Sequence, residues 1–269
     1  MTKSTEIVLK LGGELVAESS SRRNIAKAIA RLAANGSLVV IHGGGPDIDA
    51  ELAARGITKR AVDGLRVTDL ATLDVVVSIL AGRINTQLVA AARHAGVRAV
   101  GLTATDANVA SVQRAKPYTT TKGDVVDLGF VGQPTGTTKP ELLHQLCNDG
   151  FVPVITSVGC DDSGQLLNVN ADTLAGHLAV QLGATQLLMA GGTAGVLDQE
   201  GHTIPTLDSM LLQQLLADGR ASAGMVAKLM ACSEAARSGV ARVEIIDGTE
   251  PDDLNGSKGT RVDLHEPKT

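Results

Sequence analysis

Short apolar segments alternate with longer helical patterns along this chain of 269 residues, and the alternation limits its fold more than any other feature. Six segments rich in aliphatic residues are predicted as strands, at residues 6–11, 37–41, 99–102, 152–156, 186–189 and 242–247. Such nearly continuous apolar runs are expected when helices cover both faces of a parallel sheet.

Helical patterns fill the intervals, at residues 24–34, 70–95, 139–149, 172–182, 207–218 and 226–238. Strand–helix–strand alternation favours an α/β fold, and we predict a three-layer sandwich with a mainly parallel central sheet. No low-complexity linker divides the chain, so we expect two lobes, 1–183 and 184–269, that share one continuous sheet. Residues 55–68 and 109–132 are predicted as hairpins or loops outside that sheet.

The pattern at residues 70–95 is the most apolar helix of the set and includes three consecutive valines at 75–77. Asp69 stands where an N-terminal cap is expected, and Gly96 where a helix would stop. A helix that is apolar on more than one face is usually buried on both sides. It is therefore either a central core helix or a dimer interface, and the sequence does not decide between them.

Composition excludes several classes of function. The formal net charge is −5, from 24 basic and 29 acidic residues, and there are one tyrosine, two phenylalanines and no tryptophan. Nucleic-acid binding would need a basic patch or aromatic side chains for stacking, so we expect no nucleic-acid partner. No apolar run approaches the roughly 18 residues of a membrane-spanning helix, so we expect no membrane role.

The cysteines and the N-terminal residues indicate the cellular compartment of the protein. Cys147, Cys160 and Cys232 are an odd number without metal-ligand spacing, which favours reduced thiols over a disulfide scaffold or a zinc site. The polar residues before Ile7 do not resemble a signal peptide. We therefore expect a cytoplasmic protein.

Glycine clusters follow the first two predicted strands, in the runs Lys10, Leu11, Gly12, Gly13 and His42, Gly43, Gly44, Gly45, Pro46. Ligands of an open parallel sheet lie at the carboxyl ends of its strands. Residues without a Cβ let backbone N–H groups approach an anion there, and a helix N-terminus adds positive charge. Two such loops, one with a lysine, favour phosphate binding, although tight turns alone would also explain the glycines.

Other polar residues suit the same chemistry. Asn168 and Asn170 alternate on an extended segment, and Asp172 follows where a helix begins, although an ordinary helix cap would also explain it. Lys228 enters a later helix and is either functional or simply exposed. Arg66 is either an ordinary surface charge or a guanidinium group that binds a carboxylate through two hydrogen bonds.

In chain order these segments read KLGG at 10–13, HGGG at 42–45, DGLRVT at 63–68, NVNAD at 168–172 and AGMVAK at 223–228. The ordered set resembles the amino-acid kinase family, and within it the kinases of N-acetyl-L-glutamate. The resemblance extends over essentially the whole chain. It implies that ATP, with Mg²⁺ carried by the nucleotide, phosphorylates the side-chain carboxylate of N-acetyl-L-glutamate in arginine biosynthesis.

The resemblance also implies roles for individual residues. Lys10 and Lys228 would stabilise the transferred phosphoryl group, and Asp172 would hold both lysines; no metal bound by the protein's own side chains is implied. The substrate-binding residues would be Gly44, Gly45, Arg66, Asn168 and Asn170. Phosphate or nucleotide binding would fall to Gly12, Gly13, Gly43, Gly192, Thr193, Gly195 and Met225. The lobe at 1–183 would bind the acyl substrate and dimerise, and the lobe at 184–269 would bind the nucleotide.

The sequence departs from the family pattern in the predicted nucleotide lobe. Gly192 stands where an acidic residue is usual, and Ala223 stands where glycine or aspartate is usual, so we expect effects on nucleotide affinity and donor choice. With so few aromatic residues, adenine would rest on aliphatic side chains and methionine. Arginine-inhibited members carry an extra N-terminal helix, whereas six residues precede Ile7 here, so we expect a homodimer that arginine does not inhibit.

Two rival functions remain open at this point. A sister kinase could act on another carboxylate, such as a carrier-linked aminoadipate, although the segments at 63–68 and 168–170 favour acetylglutamate. A catalytically inactive homologue could bind small molecules or a partner, although both lysines and Asp172 argue against that.

Overall fold

The computed structural model describes residues 7–120, 123–217, 223–249, 254 and 259–264. Its strands are β1 Ile7–Leu11, β2 Leu38–His42, β3 Ala61–Val62, β4 Leu65–Arg66, β5 Ala99–Thr103, β6 Val112–Arg114, β7 Tyr118–Thr119, β8 Val125–Val126, β9 Val131–Pro134, β10 Val152–Thr156, β11 Val158–Cys160, β12 Leu166–Val169, β13 Gln186–Gly191, β14 Thr206–Leu207, β15 Arg242–Asp247 and β16 Gly259–Val262. Its α-helices are α1 Gly13–Ala17, α2 Ser19–Asn35, α3 Gly45–Ala54, α4 Leu70–Val77, α5 Asn85–His94, α6 Glu141–Asn148, α7 Ala171–Gln181, α8 Ser209–Ala217 and α9 Ala223–Arg237.

The central sheet has eight strands in the order β14-β16-β15-β13-β1-β2-β10-β5. Its pairings are parallel except for β15 with β16, which confirms the predicted α/β fold with a mainly parallel sheet. All six strands predicted from the sequence lie in it. The sheet is continuous across residue 183, and the division into two lobes there stays a prediction.

Alternate residues of β1 face opposite sides of the sheet, as the pleat requires. Val8 belongs to an apolar core together with Leu174 of α7 and Leu229 of α9, and the helices α6 to α9 all contribute to that side. Leu9 belongs to the other core, to which α1 to α5 contribute. The helices on the two faces and the sheet between them form the three layers. Because side chains alternate along β1, Lys10 lies on the same side as Val8, which is the side of α7 and α9.

The predicted helix at 70–95 is observed as α4 and α5, joined by a π-helical segment at Ser78–Ile84. The Asp69 side chain accepts a hydrogen bond from the Thr72 backbone at 2.8 Å, which confirms the predicted cap. By length and composition Leu70–His94 is apolar enough to cross a membrane, contrary to the expectation that no such segment exists. Its buried residues pack into the core of α1 to α5, so it is a core helix; the dimer-interface alternative is untested.

Residues 55–68 and 109–132 lie outside the central sheet, as predicted. The first contains the hairpin of β3 and β4, and the second contains the hairpin of β7 and β8. The second region also contributes β6 and the start of β9 to a smaller sheet in the order β11-β12-β9-β6. An isolated bridge between Thr68 and Gly129 joins the two regions.

The observed bounds differ from the predicted ones mainly where polar or short segments carry no apolar period. Helix α2 begins at Ser19 rather than residue 24, because its first turn is polar, and α1 has only five residues. The strands β14 and β16 have two and four residues and were not predicted. Glu6 and Asp218, the outer ends of a predicted strand and helix, lie outside the described residues.

Candidate active site

The two glycine loops meet at the carboxyl ends of β1 and β2. A Cβ on Gly13 would lie 2.8 Å from the Gly45 nitrogen and 2.9 Å from the Gly44 Cα, closer than real side chains come. A Cβ on Gly44 would overlap the side chain of Ile84. Gly45 has open space where its side chain would be. The glycines therefore let two loops touch and leave backbone N–H groups beside an open cleft.

Two lysines share one carboxylate oxygen in this region. Lys10 at the end of β1 and Lys228 in α9 each place Nζ 2.9 Å from Oδ1 of Asp172 in α7. The three side chains are 8%, 12% and 11% exposed, respectively. Residues 10, 172 and 228, which are far apart in the sequence, thus form one buried cluster of two ammonium groups and one carboxylate.

The charges of the cluster shift one another's pKa values. Burial would raise the pKa of Asp172, but the ammonium groups of Lys10 and Lys228 outweigh it and hold that pKa below its usual value. Burial lowers the pKa of Lys10, and the neighbouring charge of Lys228 adds to this lowering. Burial would also lower the pKa of Lys228, but Asp172 raises it overall. The two lysines therefore keep the carboxylate ionised, and with both lysines protonated the cluster has a formal charge of +1.

Asn170, not Asp172, caps helix α7. Its Oδ1 accepts hydrogen bonds from the backbone nitrogens of Asp172 at 2.8 Å and Thr173 at 3.0 Å. This corrects the alternative in which Asp172 is an ordinary cap. Because a neighbour satisfies the first N–H groups, the Asp172 carboxylate is available to the lysines.

A cavity of about 510 Å³ opens beside the glycine loops. All the residues predicted to bind substrate line it, together with one predicted phosphate-binding residue: Gly43, Gly44, Gly45, Arg66, Asn168 and Asn170. Asn168 Nδ2 donates to Thr68 Oγ1 at 3.2 Å. The structure thus brings this predicted set together around one space large enough for a small acyl amino acid.

Arg66 is held by a residue that the sequence analysis did not single out. One amino group, Nη2, pairs with Asp49 Oδ1 in α3, and Asp49 also pairs with Lys59. The other, Nη1, is buried and has no hydrogen-bond partner within the part of the chain that the structure describes. Arg66 therefore offers an unsatisfied donor in a wall of the cavity, where a carboxylate would satisfy it.

Tyr118 also lines this cavity, and it too was not predicted to be functional. Its hydroxyl donates to Asp63 Oδ2 at 3.2 Å, which joins the β7–β8 hairpin to the turn between β3 and β4. Partial burial and the nearby Asp63 charge raise the pKa of Tyr118. The two hairpins thus form a linked rim over the cavity, and no local sequence pattern indicates that contact.

The side chain of His42 holds the start of the second glycine loop in place. Its ring is fully buried, and burial lowers its pKa to about 4, so it is neutral near pH 7. Its Nδ1 lies 3.0 Å from the Gly43 carbonyl and its Nε2 lies 3.1 Å from Asn85 Nδ2. Asn85 also donates to the Val154 carbonyl at 2.9 Å, so the loop is tied to α5 and β10.

A second cavity, of about 740 Å³, lies between the loop after β13 and helices α8 and α9. Its lining includes the predicted nucleotide residues Thr193, Gly195 and Met225. Gly195 has φ +122°, and its neighbour Val196 donates its backbone N–H to Thr260 Oγ1 at 2.8 Å. The described residues that line this cavity are aliphatic, polar, acidic or methionine, and none of them is aromatic; how adenine is held stays a prediction.

Neighbours of the cluster in the chain line both cavities, although Lys10, Asp172 and Lys228 themselves line neither of them. Along α9, Ala227 lines the smaller cavity, Met225 and Leu229 line the larger one, and Lys228 lies among them. Ala171, adjacent to Asp172, lines the smaller cavity. The cluster is therefore adjacent in the chain to residues of both cavities.

Gly192 does not line the second cavity within the described residues. Its backbone N–H donates to Oε1 of Glu14 in α1 at 2.9 Å. Gly12 is next to the same carboxylate, because a Cβ there would overlap it. The side chain of Ala223, the second departure from the family pattern, lies outside what the structure describes.

The amino acid kinase family matches residues 5–247. The chain is 39% identical over 246 residues to an acetylglutamate kinase of Oleidesulfovibrio alaskensis, covering 90% of this chain and 83% of that protein. It is 41% identical over 253 residues to an acetylglutamate kinase of Acidiphilium cryptum, covering 91% and 83%. The fold is similar to that of N-acetylglutamate synthase from Neisseria gonorrhoeae, with a TM-score of 0.82, 24% identity and coverage of 99% of this chain and 61% of that one.

Proposed function

Since the chain belongs to the amino acid kinase family, we propose that it transfers the γ-phosphoryl group of ATP to the side-chain carboxylate of N-acetyl-L-glutamate. The product would be the acyl phosphate, N-acetyl-L-glutamyl 5-phosphate. The observation that carries the proposal is the pair of buried ammonium groups on Asp172, with chain neighbours of Asp172 and Lys228 lining two ligand-sized cavities.

The acceptor needs no general base in this reaction. A carboxylate with an ordinary pKa near 4 is ionised at neutral pH and can attack phosphorus directly. The site then has to align the attacking oxygen with the γ-phosphorus and to stabilise the charge on the transferred group. Lys10 and Lys228 supply that charge, and Asp172 fixes both ammonium groups in place.

Binding of the acyl substrate would use the smaller cavity. The unsatisfied Nη1 of Arg66 suits the α-carboxylate, and Asn168 suits the acetylamino group. The backbone nitrogens of Gly44 and Gly45 face a charge-bearing oxygen without hindrance from side chains. The adjoining hairpins, linked through Tyr118 and Asp63, would limit access of water.

Mg²⁺ would arrive with the nucleotide. Within the described residues no group of three or more His, Cys, Asp or Glu side chains is arranged to hold a metal ion. Mg²⁺ bound to ATP keeps several waters and needs only one or two protein carboxylates, so the exposed Glu14 carboxylate beside the glycine loop fits such a role. The ion would supply further positive charge near the phosphoryl group.

The test is an ATP-dependent acyl-phosphate assay with hydroxylamine trapping. The acceptors are N-acetyl-L-glutamate, free glutamate, aspartate and aminoadipate, and a carrier-linked aminoadipate. We expect turnover with N-acetyl-L-glutamate and its loss in Lys228→Ala, while the exposed Lys27→Ala serves as a matched control. Absence of turnover with millimolar N-acetyl-L-glutamate would refute the proposal, and turnover with the carrier-linked acceptor alone would support the sister kinase.

We further propose a homodimer formed along the edge of the central sheet. Strand β5 pairs only with β10 among the described strands, and its residues are exposed or half-buried. Such an edge has unpaired backbone groups that another chain can satisfy. Sedimentation velocity tests this proposal, and a monomer or a hexamer at micromolar concentration would contradict it. The cytoplasmic location stays a prediction.

A further inference from the structure

The carboxylate of Glu14 occupies a notch made by glycines of two distant segments. Its Oε1 accepts the N–H of Gly192, 178 residues away in the sequence, at 2.9 Å. Cβ atoms on Gly191 and Gly192 would lie 3.6 Å from Oε1 and 3.5 Å from Cγ of Glu14, respectively. The glutamate thus joins the start of helix α1, next to the predicted phosphate-binding Gly12 and Gly13, to the loop after β13, which contains predicted nucleotide-binding residues.

This notch is also where the expected acidic residue is missing. Gly192 has no positive φ, so its backbone would accept an aspartate without strain. Such an aspartate would extend into the space that the Glu14 side chain now fills, because the two Cβ and Cγ positions are in van der Waals contact. The chain therefore has a carboxylate at the loop, but the carboxylate comes from α1 instead of from the loop itself.

We propose that Glu14 supplies the nucleotide loop with the carboxylate that position 192 lacks, and that it makes nucleotide binding depend on a divalent cation. The proposal rests on the proposed function only in requiring that the site take a nucleotide. Glu14 is a positioning residue for the loop through Oε1. Its Oε2 makes no hydrogen bond within the part of the chain that the structure describes, and Glu14 is exposed.

The charge of the site gives the reason for the dependence on a cation. Lys10, Lys228 and Asp172 together carry one net positive charge, which attracts a polyphosphate. Glu14 adds a negative charge at the side of the same glycine loop, which repels a polyphosphate without metal. A divalent cation between phosphate and carboxylate turns this repulsion into attraction, because Mg²⁺ prefers carboxylate and phosphate oxygens.

The experiment measures ADP binding by calorimetry, once with Mg²⁺ and once with EDTA. Glu14→Gln keeps an amide oxygen for the Gly192 N–H but removes the charge, and Glu18→Gln at an exposed site of the neighbouring turn is the matched control. Because Glu14 is exposed, we expect the affinity ratio of the two conditions to fall about fivefold in Glu14→Gln, as for one charge pair screened by bulk water. An unchanged ratio in Glu14→Gln, or an equal fall in Glu18→Gln, would overturn the proposal.

A carboxylate exchange supplies the second arm. Gly192→Asp alone is expected to weaken binding of magnesium ADP about fivefold, because two carboxylates then crowd one notch. Glu14→Ala with Gly192→Asp is expected to regain the wild-type ratio. If the affinity ratio of the double variant is no higher than that of Glu14→Ala alone, the result would count against the exchange. No acyl substrate is present, so these results do not depend on the acceptor; a wild-type protein that binds no ADP would instead refute the proposed kinase function.

Discussion

Replacing Asp172 with asparagine tests the central cluster most directly. The change preserves shape but leaves two buried ammonium groups without their anion. Both Nζ atoms lie 2.9 Å from one oxygen, so they are at most twice that distance apart. At an effective dielectric constant of about 20, their repulsion amounts to about 3 kcal/mol.

The expected loss of stability follows from that geometry. Removing one partner of a buried ion pair typically costs about 3–5 kcal/mol, because the remaining charge is desolvated and uncompensated. We therefore expect Asp172→Asn to lower the free energy of unfolding in urea by about this amount at neutral pH. Asp74→Asn, at an exposed position of α4, is the matched control and should change it by less than about 0.5 kcal/mol.

The pH dependence of the difference has a definite sign. The native pKa of Asp172 lies below its unfolded value, so the carboxylate stabilises the protein above the unfolded pKa. This stabilisation is lost as the pH falls through the native pKa, where wild type also becomes neutral at this position. The wild-type advantage over Asp172→Asn should therefore shrink towards acid pH. Equal urea midpoints at neutral pH, or an advantage that grows on acidification, would refute the reasoning.

Further predictions concern catalysis, substrate binding and the helix cap. Lys10→Ala and Lys228→Ala should keep the native circular dichroism spectrum and lower kcat at least about 100-fold, as for loss of one preorganised donor; wild-type rates in either would discredit the assigned site. The value of kcat/KM should fall at alkaline pH below that at which an exposed lysine titrates, because the pKa of Lys10 is lowered; a profile flat to pH 10.5 would contradict this. Arg66→Lys should raise the KM for N-acetyl-L-glutamate about tenfold with little change in kcat, because a single ammonium group cannot pair with Asp49 and also replace the free Nη1 donor; an unchanged KM would remove Arg66 from the substrate site. Asn170→Ala should lower the free energy of unfolding by about 1 kcal/mol, as for loss of a cap; an unchanged urea midpoint would contradict the capping role.

The candidate site was partly predictable because its parts lie at places that local rules mark. Lys10 and the glycines follow strands, and the carboxyl ends of parallel strands meet at one edge. Asp172 and Lys228 were singled out by motif order. The sequence could not show that Asn170, rather than Asp172, caps α7, because both residues are common at helix starts.

Contacts between distant segments were not predictable in the same way. Asp49 in helix α3 holds Arg66 in strand β4, and Tyr118 joins two hairpins through Asp63. No periodicity marks these residues, and each partner taken alone resembles an ordinary surface residue.

The helix at 70–94 is long and apolar enough to cross a membrane, which the sequence analysis did not predict. Charged residues interrupt its apolar run, while its mean hydropathy stays high.

The sequence by itself determined the order of strands and helices, the parallel character of the sheet and the positions of the glycine loops. Those features depend on residues close together in the chain, through side-chain period, backbone freedom and capping. Only the tertiary structure decided that two lysines share one oxygen of Asp172, and that Glu14 fills the notch at Gly192. Such contacts depend on strand register and helix packing, which bring together side chains that no local pattern relates.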